Sequence, residues 1–279
     1  MTNVVACIDG SDASSAVSDY AAWASLRLEA PLEFLHVLDK TAYPVERDLS
    51  GSIGLGSREE LLGELANTDE KLSRQAMELG RAMLDAARQK AIADGVAEPK
   101  CTQRHGILGE TLVEMGERIR LLILANHTQN HHEHLGSHLE EVVRKTHRPT
   151  LITPAEFKAP QRILICFDGS DTTRKAVEMV ADSPLFRGIS CHLLMVGEAS
   201  ATHKKQLSWA QTTLEAAGFD APVKIMDGDI EAVLTDYVSV QGIDMLVMGA
   251  YRHSVLHRFI LGSTTTSIIR KVSIPVLLL

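Results

Sequence analysis

The sequence lacks several features that would assign it to a class at once. Aromatic residues make up 4% of its 279 residues, it has only four cysteines, and no apolar run approaches the length of a membrane span. Its formal net charge of −8 argues against a general nucleic-acid binder, which would carry a basic face. The beginning of the chain lacks a signal-peptide pattern, because Asp9 interrupts its apolar stretch. We therefore expect a cytoplasmic globular protein with reduced thiols.

The sequence does contain one pattern twice. An apolar run at 4–8 leads into Asp9-Gly10-Ser11-Asp12, and a second run at 163–167 leads into Asp168-Gly169-Ser170-Asp171. Later, Gly136-Ser137 and Gly262-Ser263 each open a similar closing segment. Self-similarity on this scale indicates two copies of one domain. We place the copies at 1–154 and 160–279, because the short stretch 153–160 between them contains two prolines and no periodicity.

Short apolar runs alternate with helical patterns in both copies. In the second copy the predicted strands are 162–167, 190–196, 222–226, 244–248 and 274–279, and the predicted helices are 171–182, 202–217, 229–240 and 263–272. In the first copy the predicted strands are 3–8, 32–37, 100–104, 120–125 and 149–153, with an insertion before a long helix at 58–93. This alternation predicts an α/β fold of two tandem open parallel five-stranded sheets with helices on both faces, of Rossmann-like form.

Ligands of such folds bind beyond the carboxyl ends of the strands. One strand end of the second copy presents Asp168, followed by a glycine turn and a helix N-cap. Another presents Gly249, and the helix after the next loop opens with Gly262, Ser263 and Thr264. Such an opening offers backbone N–H donors and hydroxyls to an anion, aided by the helix dipole. The alternative is that Ser263 only caps the helix and that the loop is a solvated turn.

The spacing of these motifs resembles that of the universal stress protein family, and the resemblance covers both copies. It implies sheets of the adenine-nucleotide alpha hydrolase-like type, in which many members bind ATP or AMP and others bind no nucleotide. By position, the resemblance gives Asp168 a contact with the ribose and places the main chain of Val196 near the base. It also implies a close backbone approach at Gly249. The phosphate cradle that it implies consists of Gly262, Ser263 and Thr264.

Two departures from the family pattern affect these expectations. Arg252 stands where the family has its second glycine, so its guanidinium either contacts a phosphate or occupies the space that the phosphate needs. In the first copy, Ala125 replaces the leading glycine, and the acidic pair Glu140-Glu141 follows Gly136-Ser137. Carboxylates in the first turn of a helix repel a phosphate. The first copy is therefore interpreted as a degenerate domain that supports or regulates the second.

Other patterns have simpler interpretations. Six of the twelve histidines lie between 127 and 147. Clustered imidazoles can bind zinc or copper, but a solvated, pH-sensitive loop is favoured and no metal site is predicted. The leucine-rich stretch 61–84 is expected to pack on a sheet or a neighbouring subunit. The two domains are expected to pair within the chain through their last strands, at 150–153 and 276–279, and a homodimer is a further option.

The leading functional hypothesis is a cytoplasmic stress-response protein that binds an adenine nucleotide in its second domain and acts as a regulator or sensor. No catalytic residue is assigned, and any ATP hydrolysis is expected to be slow. One alternative is an interaction module that binds no nucleotide and retains vestigial pockets. Another is an enzyme such as an ATP pyrophosphatase, which would need a second glycine after the first strand. Neither a nucleic acid nor a membrane is expected as a partner.

Overall fold

The computed structural model of the chain describes residues 2–38, 57–126, 135–249 and 263–279. Within these ranges, side chains are described except at 57–70, 135–140 and 263. The histidine-rich loop at 127–134, Arg252 and Gly262 lie outside the described residues. Most of the predicted insertion at 39–66 lies outside them too, apart from the backbone that begins the long helix.

The described part of the first half contains five strands and four α-helices. Its strands are β1 (Asn3–Cys7), β2 (Leu32–Leu38), β3 (Lys100–His105), β4 (Ile119–Ala125) and β5 (Thr150–Thr153). Its helices are α1 (Ser14–Leu28), α2 (Ser57–Ala93), α3 (Leu108–Met115) and α4 (Leu135–Thr146).

The second half repeats this order. Its strands are β6 (Arg162–Cys166), β7 (Ser190–Val196), β8 (Val223–Met226), β9 (Met245–Met248) and β10 (Val276–Leu278). Its helices are α5 (Asp171–Asp182), α6 (Ala201–Ala216), α7 (Ile230–Gln241) and α8 (Ser263–Lys271). All ten strands begin and end within about two residues of the predicted bounds, because each is an apolar run closed by turn residues.

The ten strands form one sheet in the order β3-β2-β1-β4-β5-β10-β9-β6-β7-β8. Each half contributes five parallel strands, which confirms the α/β class and the helices expected on both faces. The halves meet where β5 and β10 pair antiparallel, with Leu277 opposite Leu151 and Val276 opposite Ile152. The two predicted five-stranded sheets are therefore continuous with each other. Both joining strands are buried, so the apolar edges of the two halves cover each other.

Side chains alternate between the two faces of the sheet and form two cores. One core contains Val4 and Ala6 of β1 and packs against α1, α2, α5 and α6. The other contains Val5 and Cys7 and packs against α3, α4, α7 and α8. Both cores include residues of both halves, so the buried apolar surface runs across the joint between β5 and β10.

Contacts outside the sheet also link the halves. The ring of Tyr20 in α1 lies edge-on to Phe157 of the linker, with centroids 4.7 Å apart. The guanidinium of Arg27 donates to the carbonyl oxygen of Leu185 at 2.6 Å and also to that of Arg187. These contacts hold α1 against the turn that follows α5.

The insertion lengthens α2 at its beginning. Helix α2 has 37 residues and its counterpart α6 has 16, and both end seven residues before the following strand. The extra residues are therefore 57–77, which add about 30 Å of helix at 1.5 Å per residue. Among the described side chains of α2, Leu72 and Leu79 are about half exposed.

A buried histidine makes the stability of the second half pH-dependent. His192 of β7 is bonded through Nδ1 to the hydroxyl of Tyr237 in α7, at 3.0 Å. Burial lowers its pKa from the usual 6.5; the nearby charge of Arg162 lowers it further, and Asp220 partly opposes this. The unfolded chain therefore binds this proton more readily than the folded one, and stability is lost as the pH falls below about 6.5.

We expect His192→Gln to reduce the difference in unfolding free energy between about pH 7.5 and about pH 5.5, because the titrating group is gone. Urea unfolding at the two pH values measures this difference. The exposed residue His105 of β3 provides the control, since His105→Gln should leave the difference as it is. An unchanged pH dependence in His192→Gln would show that other groups set it.

Candidate functional site

The candidate site lies at the carboxyl edge of the second half of the sheet. Strands β6 and β9 are neighbours, so Asp168, which follows β6, and Gly249, which follows β9, lie at adjacent strand ends. The local strand order, β10-β9-β6-β7-β8, reverses direction between β9 and β6. Such a switch point opens a crevice at the carboxyl ends of the strands, where α/β proteins bind their ligands.

Asp168 lies exposed at the tip of this edge, in a turn that its own side chain organises. Its Oδ1 accepts hydrogen bonds from the backbone N–H of Ser170 and from the hydroxyl of Thr173, both at 2.9 Å. Ser170 is the N-cap of α5, and its hydroxyl accepts from the N–H of Thr173 at 3.3 Å. The predicted sequence of carboxylate, turn and N-cap is therefore confirmed.

Two side chains that the sequence analysis did not select hold the turn from outside. Arg174 donates from Nε to the carbonyl oxygen of Gly169 at 3.3 Å, and its guanidinium lies 4.7 Å from the ring centroid of Trp209. Gly169 has a φ of 77°, and a Cβ there would collide with the side-chain amide of Gln206 in α6. The positive φ favours glycine at this position, whereas the Gln206 side chain could move aside. Gln206 places a polar amide against the turn at Gly169.

Val196 ends β7, next to β6 in the sheet. The last bond between the two strands runs from the N–H of Phe167 to the carbonyl of Leu194 at 2.9 Å. The main chain of Val196 lies two residues beyond that bond, at the same edge as Asp168. On its other side, the N–H of Gly197 donates to the carbonyl of Met226 in β8 at 2.8 Å. This arrangement places the Val196 main chain at the mouth of the crevice.

Gly249 is half-buried, and its surroundings give it a packing role. A Cβ at Gly249 would lie 3.0 Å from Cγ2 of Thr172, in the first turn of α5. In the first half, the residues at the equivalent positions are Ala125 and Ala13. The larger strand-end residue of the first half is therefore combined with a smaller residue just before α1.

Helix α8 begins at the same edge. Thr264 in its first turn is half-buried and Thr265 is buried. Glu231 of α7 contacts α8 at two points, and its hydrogen bonds with Lys271 and Ser267 lower the pKa of its carboxyl. Helix α8 ends four residues before β10, which is parallel to β9, so α8 runs back from the edge that carries Asp168 and Gly249 towards the opposite edge. Arg252, Gly262 and the side chain of Ser263 are not among the described parts of this edge.

The first half repeats the turn but changes its surroundings. Oδ1 of Asp9 accepts from the N–H of Ser11 at 2.9 Å and from the hydroxyl of Ser14 at 3.1 Å. Gly10 has a φ of 78°, and a Cβ there would collide with the thioether of Met83 in α2. Met83 occupies the place that Gln206 has in the second half. The first turn is therefore covered by an apolar side chain.

The cysteines lie within the cores. Burial raises the pKa of the Cys7 thiol to about 12, with a smaller contribution from the charge of Asp9, and burial raises that of Cys166 to about 12. All four cysteines are free. Within the described ranges, no group of three or more histidine, cysteine or carboxylate side chains is arranged to hold a metal ion.

The sheet order and the two equivalent turns define a tandem α/β protein. In each half, an aspartate turn follows the first strand at the carboxyl edge of the parallel strands. The profile described as the universal stress protein family matches residues 1–154 and 160–279. The universal stress protein Slr1230 of Synechocystis sp. is 31% identical over 284 residues, covering 99% of both chains. The chain therefore belongs to the universal stress protein family, and the resemblance seen in the sequence is confirmed.

Solved structures share this fold at low sequence identity. A universal stress protein from Archaeoglobus fulgidus is 18% identical, with a TM-score of 0.65 over 99% of this chain and 95% of that one. The protein PA1789 from Pseudomonas aeruginosa is 13% identical, with a TM-score of 0.60 over 100% of this chain and 92% of that one. Both neighbours therefore share the fold over most of their length. No helix in the described part of this chain is long and apolar enough to cross a membrane.

Proposed function

We propose that the second domain, 160–279, binds an adenine nucleotide, ATP or AMP, and that the chain acts in the cytoplasm as a regulator or sensor of stress. The observation that carries this proposal is the placement of Asp168 beside Gly249, at the switch point of the sheet. An exposed carboxylate at that point can accept hydrogen bonds from the two hydroxyls of a ribose. Membership of the stress protein family supports the biological role.

The other residues of this edge suit the remaining parts of a nucleotide. The main chain of Val196 lies at the mouth of the crevice and can bond the edge of the base. The phosphates would lie at the beginning of α8, where Gly262, Ser263 and Thr264 offer backbone N–H groups and hydroxyls. The first N–H groups of a helix lack partners within the helix, and the helix dipole favours an anion there.

The first domain, 1–154, is proposed as a degenerate partner that supports or regulates the second. Met83 places an apolar thioether against its turn, where the second domain has Gln206. The acidic pair Glu140-Glu141 lies in the second turn of α4, one turn later than expected, so it disfavours an anion at the start of the helix less strongly than carboxylates of the first turn would. The antiparallel contact between β5 and β10 supports a role in which the two domains work as a pair within one chain.

Mass spectrometry of the small molecules released from the purified protein tests the proposal, followed by calorimetry with ATP, AMP and adenosine. We expect one site per chain. Two equal sites, or binding confined to an isolated fragment 1–154, would contradict the assignment to the second domain. Absence of any adenine nucleotide binding would favour the second candidate function, an interaction module with vestigial pockets, which the arginine at the family's glycine position supports.

Arg252 separates these two functions. If it contacts a phosphate, Arg252→Ala removes a charge-assisted hydrogen bond, and ATP affinity should fall about tenfold to hundredfold while adenosine affinity changes much less. If its side chain fills the phosphate position, Arg252→Gly should strengthen ATP binding instead. Titration of both variants with ATP and adenosine measures this. We expect the first result, and tighter ATP binding by Arg252→Gly would overturn it.

A further inference from the structure

Helix α8 is weak by its own sequence. Five of its nine residues, 263–267, are serine or threonine, which have low helix propensity, and a helix this short is not stable alone in water. Its second half is anchored by Ile268 and Ile269, and Val272 follows directly after it; all three are buried in the core. The position of its beginning, where the phosphates are proposed to lie, therefore depends on what holds its end.

One of the groups that hold this end comes from the other domain. Asn126, the first residue after β4, donates a hydrogen bond from Nδ2 to the carbonyl oxygen of Ile269 at 2.9 Å. The last helical backbone bond at this end joins the N–H of Val272 to the carbonyl of Ile268 at 3.0 Å, so the Ile269 oxygen lies one residue beyond it. Carbonyls in the last turn of a helix need partners from outside the helix. Asn126 therefore acts as a C-terminal cap for α8, supplied across the domain boundary.

The backbone of Asn126 is itself fixed. Its N–H donates to the carbonyl of Thr153 at 2.8 Å, which extends the pairing between β4 and β5 by one bond. Strand β5 in turn pairs with β10, the last strand of the second domain. The amide of Asn126 is thus carried on the continuous sheet, which makes it a rigid support for α8.

The position of Asn126 in the repeat relates its contact with α8 to the ligand loops of the two domains. It is the first residue of the loop that corresponds to the phosphate loop of the second domain. Because β5 and β10 run antiparallel, the carboxyl edge of the first domain lies beside the amino edge of the second, where α8 ends. The first residue of this loop, Asn126, therefore contacts the helix that serves the other domain.

We propose that Asn126 is a positioning residue for the nucleotide site of the second domain: by capping the end of α8 it holds the beginning of that helix in place for the phosphates. This inference rests on the proposed function. It assigns the first domain a definite task, since its loop sets the affinity of the second domain for phosphate. By thermodynamic linkage, a nucleotide that favours the ordered α8 also stabilises the contact between the domains.

The sharpest variant is Asn126→Asp, which keeps the size of the side chain but replaces the donor with a carboxylate that only accepts hydrogen bonds when ionised. Loss of one net hydrogen bond predicts about threefold to tenfold faster amide hydrogen exchange at 264–271 and about threefold to tenfold weaker ATP binding. Adenosine affinity should remain at the wild-type value, because adenosine has no phosphate to place at α8. Asn126→His, which can donate from Nδ1 at a similar position, should restore most of the ATP affinity.

Ser25→Ala is the matched control. Its hydroxyl donates to the carbonyl oxygen of Ala30 at 2.7 Å, so this variant also removes a side-chain bond to a backbone carbonyl, but within the first domain. It should lower the melting temperature without changing exchange at 264–271 or ATP affinity. The proposal is overturned if Asn126→Asp leaves α8 exchange unchanged, if ATP and adenosine weaken together, or if Ser25→Ala has the same effects. A wild-type protein that binds no nucleotide would refute the proposed function, and the exchange measurement would still decide whether Asn126 fixes α8.

Discussion

Asp168→Ala should weaken ATP binding more than a hundredfold, whereas Asp9→Ala should leave both affinity and stoichiometry unchanged. An ionised carboxylate that accepts hydrogen bonds from two ribose hydroxyls makes two charge-assisted contacts, each contributing about 1.5–3 kcal/mol. A hundredfold change corresponds to about 2.8 kcal/mol. The loss should extend to adenosine, which keeps the ribose. That pattern differs from the one expected for Arg252, where only phosphate-bearing ligands are affected.

The two aspartates are a matched pair because their local contacts are alike. Each accepts one backbone N–H two residues later and one hydroxyl five residues later. The structural cost of losing the turn should therefore be similar in both variants. Calorimetry of the two proteins measures binding. The fluorescence of Trp209 offers a second signal, because its ring centroid lies 4.7 Å from the guanidinium of Arg174, which bonds the turn at Gly169. Equal losses of affinity in Asp9→Ala and Asp168→Ala would refute a single site in the second domain.

Most of the fold is predictable because its signals are local. Each strand is an apolar run closed by turn residues, and the repeat allows one half to be checked against the other. The long helix was predicted to begin at 58 and begins at Ser57, because a helical pattern over 37 residues is unambiguous. The joint between β5 and β10 was expected only as a pairing of edges. The sequence could not show that it makes the sheet continuous, because register across the joint depends on both cores.

The candidate site was predictable to the extent that it consists of strand ends. Asp168, Val196, Gly249 and the start of α8 lie at one edge because carboxyl ends of parallel strands share an edge. The contact between Gly249 and Thr172 was not predictable, since it depends on how closely α5 packs. Gln206 and Asn126 were missed for the same reason, because their roles arise from tertiary contacts. Comparison of the two repeats would have pointed to Gln206, because Met83 occupies the equivalent position in α2, the counterpart of α6.

Leu277→Ala should lower the free energy of unfolding by about 2–5 kcal/mol, the usual range for a buried leucine, and should weaken both domains. Leu277 is 1% exposed and lies opposite Leu151 at the joint between β10 and β5. The cavity opens on a residue of the first domain, because Leu151 is the direct partner of Leu277 across the joint. Amide hydrogen exchange should therefore speed up in β4 and β5 of the first domain as well as in β9 and β10 of the second.

Leu214→Ala is the control for this effect, because Leu214 is fully buried in α6 and lies in the second domain away from the joint. It should cost a similar free energy, but exchange in β4 and β5 should stay close to the wild-type rate under conditions where only local opening is observed. Hydrogen exchange followed by mass spectrometry distinguishes the two variants. If Leu277→Ala left the strands of the first domain as protected as before, the two domains would be independent folding units. The support that the first domain is proposed to give the nucleotide site would then have to act through the contact with α8 alone.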